Sequence, residues 1–299
     1  MGNISVNNRN SISFKAGLTP SVIKNAVKYS APRIEQAFQS TYGVNAKFGY
    51  NHAVAYCCAV VSDIFDFLSK KFNLPFNAKP PNIRIFNDSN LLDMRNAGSL
   101  GFCITDSMPV LKGEPVFEAR SLFLNGKFNT LKAINDNAEA NFNGSKWNST
   151  NHFLHTYIHE WVHNIHDDLL FKTFGYDGYC PMARSRYNSL NGFYYDPNPN
   201  VSGIGYIARM QNIKYSPEEK DVIAKEVSRY AAGERIPNLQ QEVGGNPFEV
   251  VAETVTKKIV DVLDPDTLMP VKNPFYSNGK DDKIFQDIFN RAWYGIIGG

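Results

Sequence analysis

The sequence predicts an α+β fold in which a helix and short β-segments precede a histidine-rich helix, and the later elements are mainly helical. Three observations predict it. Residues 52–72 and 154–169 carry apolar residues at the three- and four-residue spacing of helices packed against a core. Short β-like segments start at residues 82, 101 and 116, between these helices. Helix-start signals recur near residues 216 and 246.

The first half of the chain contains most of the predicted β-structure. Thr19-Pro20 opens a short helix that breaks near Pro32. Cys57 and Cys58 fall within the 52–72 helix, where they are better explained as buried residues than as a vicinal disulfide. The three segments that we expect to form strands are NIRIF at 82, GFCIT at 101 and VFEARSLFLN at 116.

The second half begins with a long irregular loop, residues 175–206, which either walls a cleft or covers apolar surface. Ser216-Pro217-Glu218-Glu219 then opens a helix with a capping box, and DDKIFQDIFNRAWYG predicts a final amphipathic helix. We expect a flexible polar leader at 1–18 and one domain at 19–299. Within that domain we expect an N-terminal lobe of about 45–174 and a C-terminal lobe of about 175–299.

HTYIHEWVHNIH, residues 155–166, carries four of the six histidines in the chain, and His152 adds a fifth just upstream. Ser149 and Thr150 are candidate N-caps for this helix, and Gly175 is a plausible stop. At about 100° per residue, the histidines from 152 to 166 fall within roughly 80° on one face, opposite the apolar residues. The histidines are therefore predicted to form a stripe.

Within this stripe, His159-Glu160-Trp161-Val162-His163 matches the H-E-x-x-H pattern. Two imidazoles one turn apart can bind one zinc ion, while the glutamate reaches a metal-bound water. The alternative is a helix with solvated or hydrogen-bonded histidines, which the helical phase, the flanking apolar residues and the concentration of histidine disfavour. Residues seven or eight positions apart lie about 10–12 Å apart along such a helix, so His155 and His166 are each too far from one motif histidine to join both as ligands. The third ligand must come from another element.

A second helix is predicted from NPFEVVAETVTKKIVDV at 246–262, with Asn246 as N-cap and a proline at the first helical position. Glu249 and Glu253 lie one turn apart, so one carboxylate can bind the metal while the other orients a ligand histidine. Two ordinary interpretations remain open. Glu249 has the position of a capping-box carboxylate, and Glu253 has the position of a solvent-facing partner of Lys257.

The combination of His159-Glu160-x-x-His163 with a later Glu249-x-x-Ala252-Glu253 resembles the zincin metallopeptidases of the gluzincin type. It is most similar to the branch of anthrax lethal factor and the Pro-Pro endopeptidases, which carry a Tyr-Ala, then an Asn, then the ligand glutamate in an E-x-x-A-E segment. The resemblance covers roughly residues 150–260. It implies a zincin-like fold, with a helix and a small mixed sheet before the active-site helix.

The resemblance also implies site residues. One zinc ion would be held by His159, His163 and Glu249, with Glu160 as general base, Glu253 orienting a ligand and Tyr230 as the electrophilic hydroxyl. It further implies that residues 116–125 form an exposed last strand that binds substrate backbone by strand addition. One feature departs from the family, because AAGERIPNLQQEVGG separates Tyr230 from Asn246. Tyr230 could instead pack the end of the helix that starts at Ser216.

The function implied is that of a zinc-dependent metalloendopeptidase, which hydrolyses peptide bonds of a peptide or protein substrate through a zinc-activated water with a glutamate base. The competing hypothesis is a catalytically inactive zincin-like binding or effector module that retains the metal. Peptide deformylase also combines H-E-x-x-H with a cysteine ligand, but Cys103 in GFCITD lacks the sequence surroundings of that family. We therefore rank that alternative far below the other two.

Composition excludes several classes of partner. The chain has 299 residues, 43% of them hydrophobic, which is enough for a substantial core. Its formal charge of +2 and the lack of long basic runs argue against nucleic acid or anionic membrane as a partner. The N-terminal stretch lacks a signal-peptide core, and the most apolar run, residues 53–61, is too short to span a bilayer. We therefore expect a cytoplasmic protein or one exported by a non-classical route.

Overall fold

The computed structural model describes residues 18–72, 79–86, 101–104, 108–109, 115–117, 121–174, 215–236, 241–243, 245 and 247–275. The predicted leader up to residue 17, the loop at 175–206, the N-cap role of Asn246 and the final helix at 281–295 lie outside these ranges. Within them, the chain is mostly helical and contains a small sheet in which three strands are parallel. This agrees with the expected mixture of helices and a small sheet.

Three helices lie near the start of the described chain: α1 (Pro20–Ala26), α2 (Ala31–Tyr42) and α3 (His52–Phe72). The Thr19 hydroxyl accepts a hydrogen bond from the Val22 amide, which confirms the predicted helix start. Pro32 begins a helix instead of breaking one, since it lies in the first turn of α2, where an N–H has no intrahelical partner. Gly43 ends α2 with a left-handed φ of 63°.

The strands are β1 (Ala46–Lys47), β2 (Asn82–Phe86), β3 (Gly101–Ile104), β4 (Met108–Pro109), β5 (Pro115–Phe117) and β6 (Ser121–Asn125). One sheet has the order β1-β2-β6-β3, and β4 pairs with β5 in a separate ribbon. Strands β1, β2 and β6 are parallel, whereas β3 is antiparallel to β6. The prediction that residues 116–125 form one exposed last strand is wrong, because β6 is hydrogen-bonded on both sides. Among the strands described, β3 lies at that edge.

Two helices follow the sheet: α4 (Leu131–Ser145) and α5 (His155–Phe174). α5 begins at His155, so Ser149 and Thr150 are not its N-caps, and the predicted stop at Gly175 lies outside the described residues. Instead, the Ser149 amide donates to the Glu253 carboxylate, and the Ser149 hydroxyl donates to the Glu253 backbone carbonyl. Because His152 precedes the first turn of α5, it does not belong to the histidine stripe on that helix, and this part of the prediction is wrong.

The C-terminal part contains α6 (Pro217–Glu226), α7 (Arg229–Ala232), β7 (Glu234–Ile236), β8 (Gln241–Val243) and α8 (Pro247–Val260). The predicted capping box of α6 is present, since the side chains of Ser216 and Glu219 each bind the other residue's amide. α8 begins at Pro247, as expected. Strands β7 and β8 form an antiparallel hairpin within the segment that separates Tyr230 from Asn246.

Helices α3, α5 and α8 contribute to the larger apolar core, which therefore draws on both predicted lobes. Trp161 of α5 is fully buried and stacks on Phe65 of α3, with ring centroids 6.4 Å apart and an interplanar angle of 3°. From α8, Val251 and Val255 join the same core. This packing fixes the rotation of α5 and leaves its histidine face available to α8.

α3 is the one helix in the described ranges that is long and apolar enough to cross a membrane by length and composition. In this protein 67% of that span is buried inside the fold, as in the core helix of a globular domain. Cys57 and Cys58 lie on its buried surface as free thiols, which confirms that they do not form a vicinal disulfide.

Replacing Trp161 by Ala is expected to lower the free energy of unfolding by about 3–5 kcal/mol, because it leaves a cavity beside Phe65. Urea denaturation followed by far-ultraviolet circular dichroism measures this change. Tyr50→Ala is the matched control, since Tyr50 is 95% exposed and its loss should cost less than about 0.5 kcal/mol. Equal stability of the two variants would contradict the stacked core.

Candidate metal centre

His159 and His163 lie one turn apart on α5, and their rings converge on one point. The two Nε2 atoms are 3.0 Å apart, and the ring centroids are 4.7 Å apart. Three apolar residues of α5, Ile158, Trp161 and Val162, are buried in the core and so determine which way the helix is turned. The amphipathic pattern of α5 thus orients the two imidazoles.

Glu249, in the first turn of α8, completes a triangle of donor atoms. Its Oε2 lies 3.2 Å from His159 Nε2 and 3.3 Å from His163 Nε2. A zinc ion with bonds of about 2.0–2.1 Å to tetrahedral ligands separates those ligands by about 3.3–3.4 Å. The three atoms therefore have nearly the dimensions of one face of such a tetrahedron. Two imidazoles and a carboxylate are also a donor set that zinc prefers, so these residues fit the metal.

Glu253, one turn further along α8, lies on the opposite side of the His159 ring from Glu249. Its Oε1 is 3.0 Å from Nδ1 of His159, on the side of the ring that faces away from Glu249. Its Oε2 accepts a hydrogen bond of 2.7 Å from the Ser149 amide. Glu253 is 1% exposed, and Lys257 pairs with Asp261, so Glu253 is not a solvent-facing partner of that lysine.

A second group of possible metal ligands shares His159: it consists of His155, His159 and Glu253. His155 Nε2 lies 3.1 Å from Glu253 Oε1. The two groups use opposite nitrogens of the His159 ring, Nε2 with Glu249 and Nδ1 with Glu253. A neutral imidazole has one N–H and one lone pair, so it can donate to a carboxylate and ligate one ion at the same time. His159 can therefore ligate an ion in only one of the two groups. The triangle with Glu249 is the one that contains both histidines of the H-E-x-x-H pattern.

The charges of the centre favour a cation. Although burial alone would raise it, the neighbouring imidazoles of His163 and His159 hold the pKa of Glu249 well below its usual range. Burial would lower the pKa of His159, but Glu249 and Glu253 raise it well above its ordinary value. In the metal-free protein, protons on the imidazoles therefore balance the carboxylates. A divalent cation that binds here displaces those protons, and its affinity will fall at low pH.

Glu160 lies beside the triangle and is 8% exposed. Burial raises the pKa of its carboxyl, and the neighbouring His159 and His163 offset part of that effect. The edge strand β3 comes close to this side chain: a Cβ added to Gly101 would lie 3.4 Å from Glu160 Cγ. A buried carboxylate with a raised pKa, next to a candidate metal centre, is suited to exchanging protons.

Tyr230, on α7, reaches the same centre. The centroid of its ring lies 6.0 Å from that of His159 and 5.1 Å from that of Trp147. Burial, followed by the negative charges of Glu249 and Glu160, raises the pKa of the phenol well above its usual value. The hydroxyl therefore keeps its proton at neutral pH and can act as a hydrogen-bond donor.

The segment between Tyr230 and α8 does not move the tyrosine away from the centre, because its ends return to one place. Gly233 and Gly245 stand at the base of the β7–β8 hairpin, and both amides donate to the Tyr230 carbonyl, at 3.1 and 3.2 Å. A Cβ on Gly245 would meet Gly233 Cα at 2.7 Å. The two ends of the hairpin are therefore held together at Gly233 and Gly245, a contact that we call the closed neck. The inserted segment does not carry Tyr230 away from Glu249.

The structure brings together all the residues predicted for the site: His159, Glu160, His163, Tyr230, Glu249 and Glu253. Comparison with protein-family models, curated proteins and solved structures finds no match. The chemistry assigned to the site therefore depends on the geometry of this chain.

Sequence reasoning missed two residues that contact the site, His155 and Ser149. His155 is too far along the helix to join both His159 and His163 as a ligand. It nevertheless lies four residues before His159, on the same face of α5. That spacing is the signal that could have placed it beside the residue that supports His159. No local signal indicates the role of Ser149, because its partner is 104 residues away.

Gly245→Ala is expected to destabilise the protein more than Gly43→Ala. Both glycines have a positive φ, 69° and 63°, so each substitution incurs about 1–2 kcal/mol for a left-handed non-glycine residue. A Cβ at Gly43 meets nothing within 4 Å, whereas one at Gly245 strikes backbone at 2.7 Å. The difference between the two free energies of unfolding, measured by urea denaturation, gives the cost of moving the backbone at Gly233 and Gly245 apart. Equal losses of stability would mean that the two glycines separate at no cost.

Proposed function

We propose that this protein is a zinc-dependent metalloendopeptidase with a zincin-like fold of the gluzincin type. The observation that carries the proposal is the triangle of His159 Nε2, His163 Nε2 and Glu249 Oε2, with distances of 3.0–3.3 Å, beside the buried carboxyl of Glu160. The order of elements supports it too, since a long helix and a small sheet precede α5, and α8 supplies the carboxylates.

His159, His163 and Glu249 would hold one zinc ion. When bound, zinc supplies Lewis acidity, which acidifies a water molecule and polarises a peptide carbonyl. Glu160 accepts a proton from the attacking water at its carboxylate and later passes it to the amine of the departing peptide. The Tyr230 hydroxyl donates a hydrogen bond to the carbonyl oxygen as negative charge develops there. Glu253 keeps the His159 ring in place through Nδ1.

The substrate proposed is an extended peptide lying along β3. This strand is antiparallel to β6, lies at an edge among the strands described, and packs against α5. A free strand edge can pair with the backbone of a peptide, which brings a peptide bond toward the metal centre without selecting a side chain. We therefore propose that residues 101–104, and not residues 116–125, bind substrate backbone by strand addition.

A cleavage assay on the purified chain tests the proposal. Zinc-loaded protein, chelator-treated protein and treated protein given zinc again are each incubated with a combinatorial peptide library, and products are identified by mass spectrometry. We expect internal cleavage in the first and third arms and none in the second. One equivalent of bound zinc without any cleavage would instead support the inactive binding module. Failure to bind zinc would contradict the metal centre itself.

A further inference from the structure

His155 lies one turn before His159 on α5 and outside the ligand triangle. It is 2% exposed, and its Nε2 lies 3.1 Å from Glu253 Oε1. Its Nδ1 lies 3.5 Å from the Thr150 hydroxyl, at the long end of hydrogen-bond range. Both nitrogens of this buried ring are therefore engaged, and one of them touches the carboxylate that contacts a candidate ligand.

The pattern of donors and acceptors determines where the protons lie. An ionised carboxylate only accepts, so His155 must carry its proton on Nε2 to bind Glu253. Its Nδ1 is then an acceptor. Thr150 Oγ1 already accepts from the His152 amide, at 3.2 Å, which leaves its own proton for His155. The His159 ring has Nδ1 3.0 Å from the same carboxylate, so a proton kept on Nδ1 leaves the lone pair at Nε2 for an ion.

Glu253 is fixed from several directions. Its Oε2 accepts from the Ser149 amide, and its backbone carbonyl accepts from the Ser149 hydroxyl at 2.9 Å. At Oε1, the contact from His159 Nδ1 is 3.0 Å but less well aligned than the one from His155. His155 therefore provides the better-formed hydrogen bond at the oxygen that His159 uses.

We propose that His155 is a positioning residue of the metal centre: it holds Glu253 in the orientation that turns Nε2 of His159 toward the ion. This inference rests on the proposed metal centre. The group of His155, Glu253 and His159 is a hydrogen-bonded support and takes no second ion, because His159 would have to lose its remaining N–H to ligate at both nitrogens. The two groups that share His159 therefore hold one zinc ion between them.

Zinc affinity, measured by competition with a chromophoric chelator on the full chain, tests the role of His155. His155→Leu removes the donor and is expected to weaken zinc binding about 10–100-fold. His155→Gln keeps an N–H that reaches Glu253 and should stay within about threefold of wild type. The control is His152→Leu, because His152 is also buried but uses Nδ1 to accept from the Leu154 amide. It should bind zinc like wild type.

The proposal is overturned if His155→Leu binds zinc as tightly as wild type, if the glutamine variant is as weak as the leucine variant, or if His152→Leu is equally impaired. Two zinc ions per wild-type chain would also overturn it. A wild-type chain that binds no zinc would refute the metal centre instead, so the two failures are distinguishable.

Nitrogen-15 NMR of the histidine side chains tests the same inference without any variant, in case His155→Leu does not fold. We expect wild-type His155 to be protonated at Nε2, and zinc-bound His159 to be protonated at Nδ1. A His155 ring protonated at Nδ1 alone could not donate to Glu253, and this result would overturn the proposal.

Discussion

Replacing Glu160 by Gln is expected to abolish peptide cleavage while leaving zinc affinity unchanged. The amide has nearly the same size and fills the same buried space beside Gly101, but it cannot accept a proton from water. Since Glu160 is outside the triangle of His159, His163 and Glu249, the donor atoms for the metal remain. The loss of general-base catalysis is expected to lower kcat by about 10²–10⁴-fold.

The measurement combines kcat on a cleaved library peptide with zinc content and zinc Kd. Glu218→Gln is the matched control, since Glu218 is exposed in the first turn of α6, and its activity should equal that of wild type. Full activity of Glu160→Gln would remove Glu160 from the mechanism. A parallel loss of zinc would show that the side chain supports the metal instead of moving protons.

The ligands were predictable because their arrangement is local. His159 and His163, and likewise Glu249 and Glu253, are four residues apart, and a helix places such pairs on one face whatever the rest of the fold does. Local spacing does not determine which of the two carboxylates lies beside Nε2 of both His159 and His163. That choice is made by the packing of α8 on α5, and by Ser149, whose amide binds Glu253 across 104 residues.

The errors have the same origin. Residues 116–125 have the composition of a strand, but the place of β6 (residues 121–125) between β2 and β3 depends on pairing with distant segments. Ser149 resembles an N-cap in sequence, yet its hydrogen-bonding groups are used by Glu253. The β7–β8 hairpin was not predicted because each of its strands has three residues, too few for an alternating pattern to be recognised.

Acidification from pH 6.5 to 4.5 is expected to destabilise the metal-free protein through two buried histidines, His152 and His166, by about 4.5 kcal/mol in total. Burial lowers the pKa of His166 to about 3 and that of His152 to about 4, and nearby histidines add to each effect. In the unfolded chain both titrate near about 6.5. The folded state therefore favours the neutral rings: their contribution is complete above pH 6.5 and is lost as the pH falls toward the folded values. Each ring contributes about 2.2 kcal/mol of this loss.

Glu160 also acts inside this window: its pKa is raised by burial, so the folded state binds its proton at a higher pH than the unfolded chain, which offsets part of the loss. The three candidate ligands act outside it. His159 and His163 have raised pKa values, so their stabilising contribution is fully present below about pH 6.5 and is lost only at higher pH. Glu249 has a lowered pKa, so its contribution is present above about pH 4.5 and is lost only in stronger acid. Between these limits, the part of the slope that is removed together with His152 and His166 thus reports these two rings.

Urea denaturation in the presence of a chelator, at several pH values from 6.5 to 4.5, measures this slope. Each group that takes up a proton on unfolding contributes about 1.4 kcal/mol per pH unit, so His152 and His166 together should contribute up to about 2.7 kcal/mol per pH unit. His166→Gln should lower the slope by about 1.4 kcal/mol per pH unit, and adding His152→Asn should lower it by about the same amount again. Because the slope is compared and not the absolute stability, a lower starting stability of either variant does not affect the result. An undiminished slope in the double variant would place the acid lability in other groups.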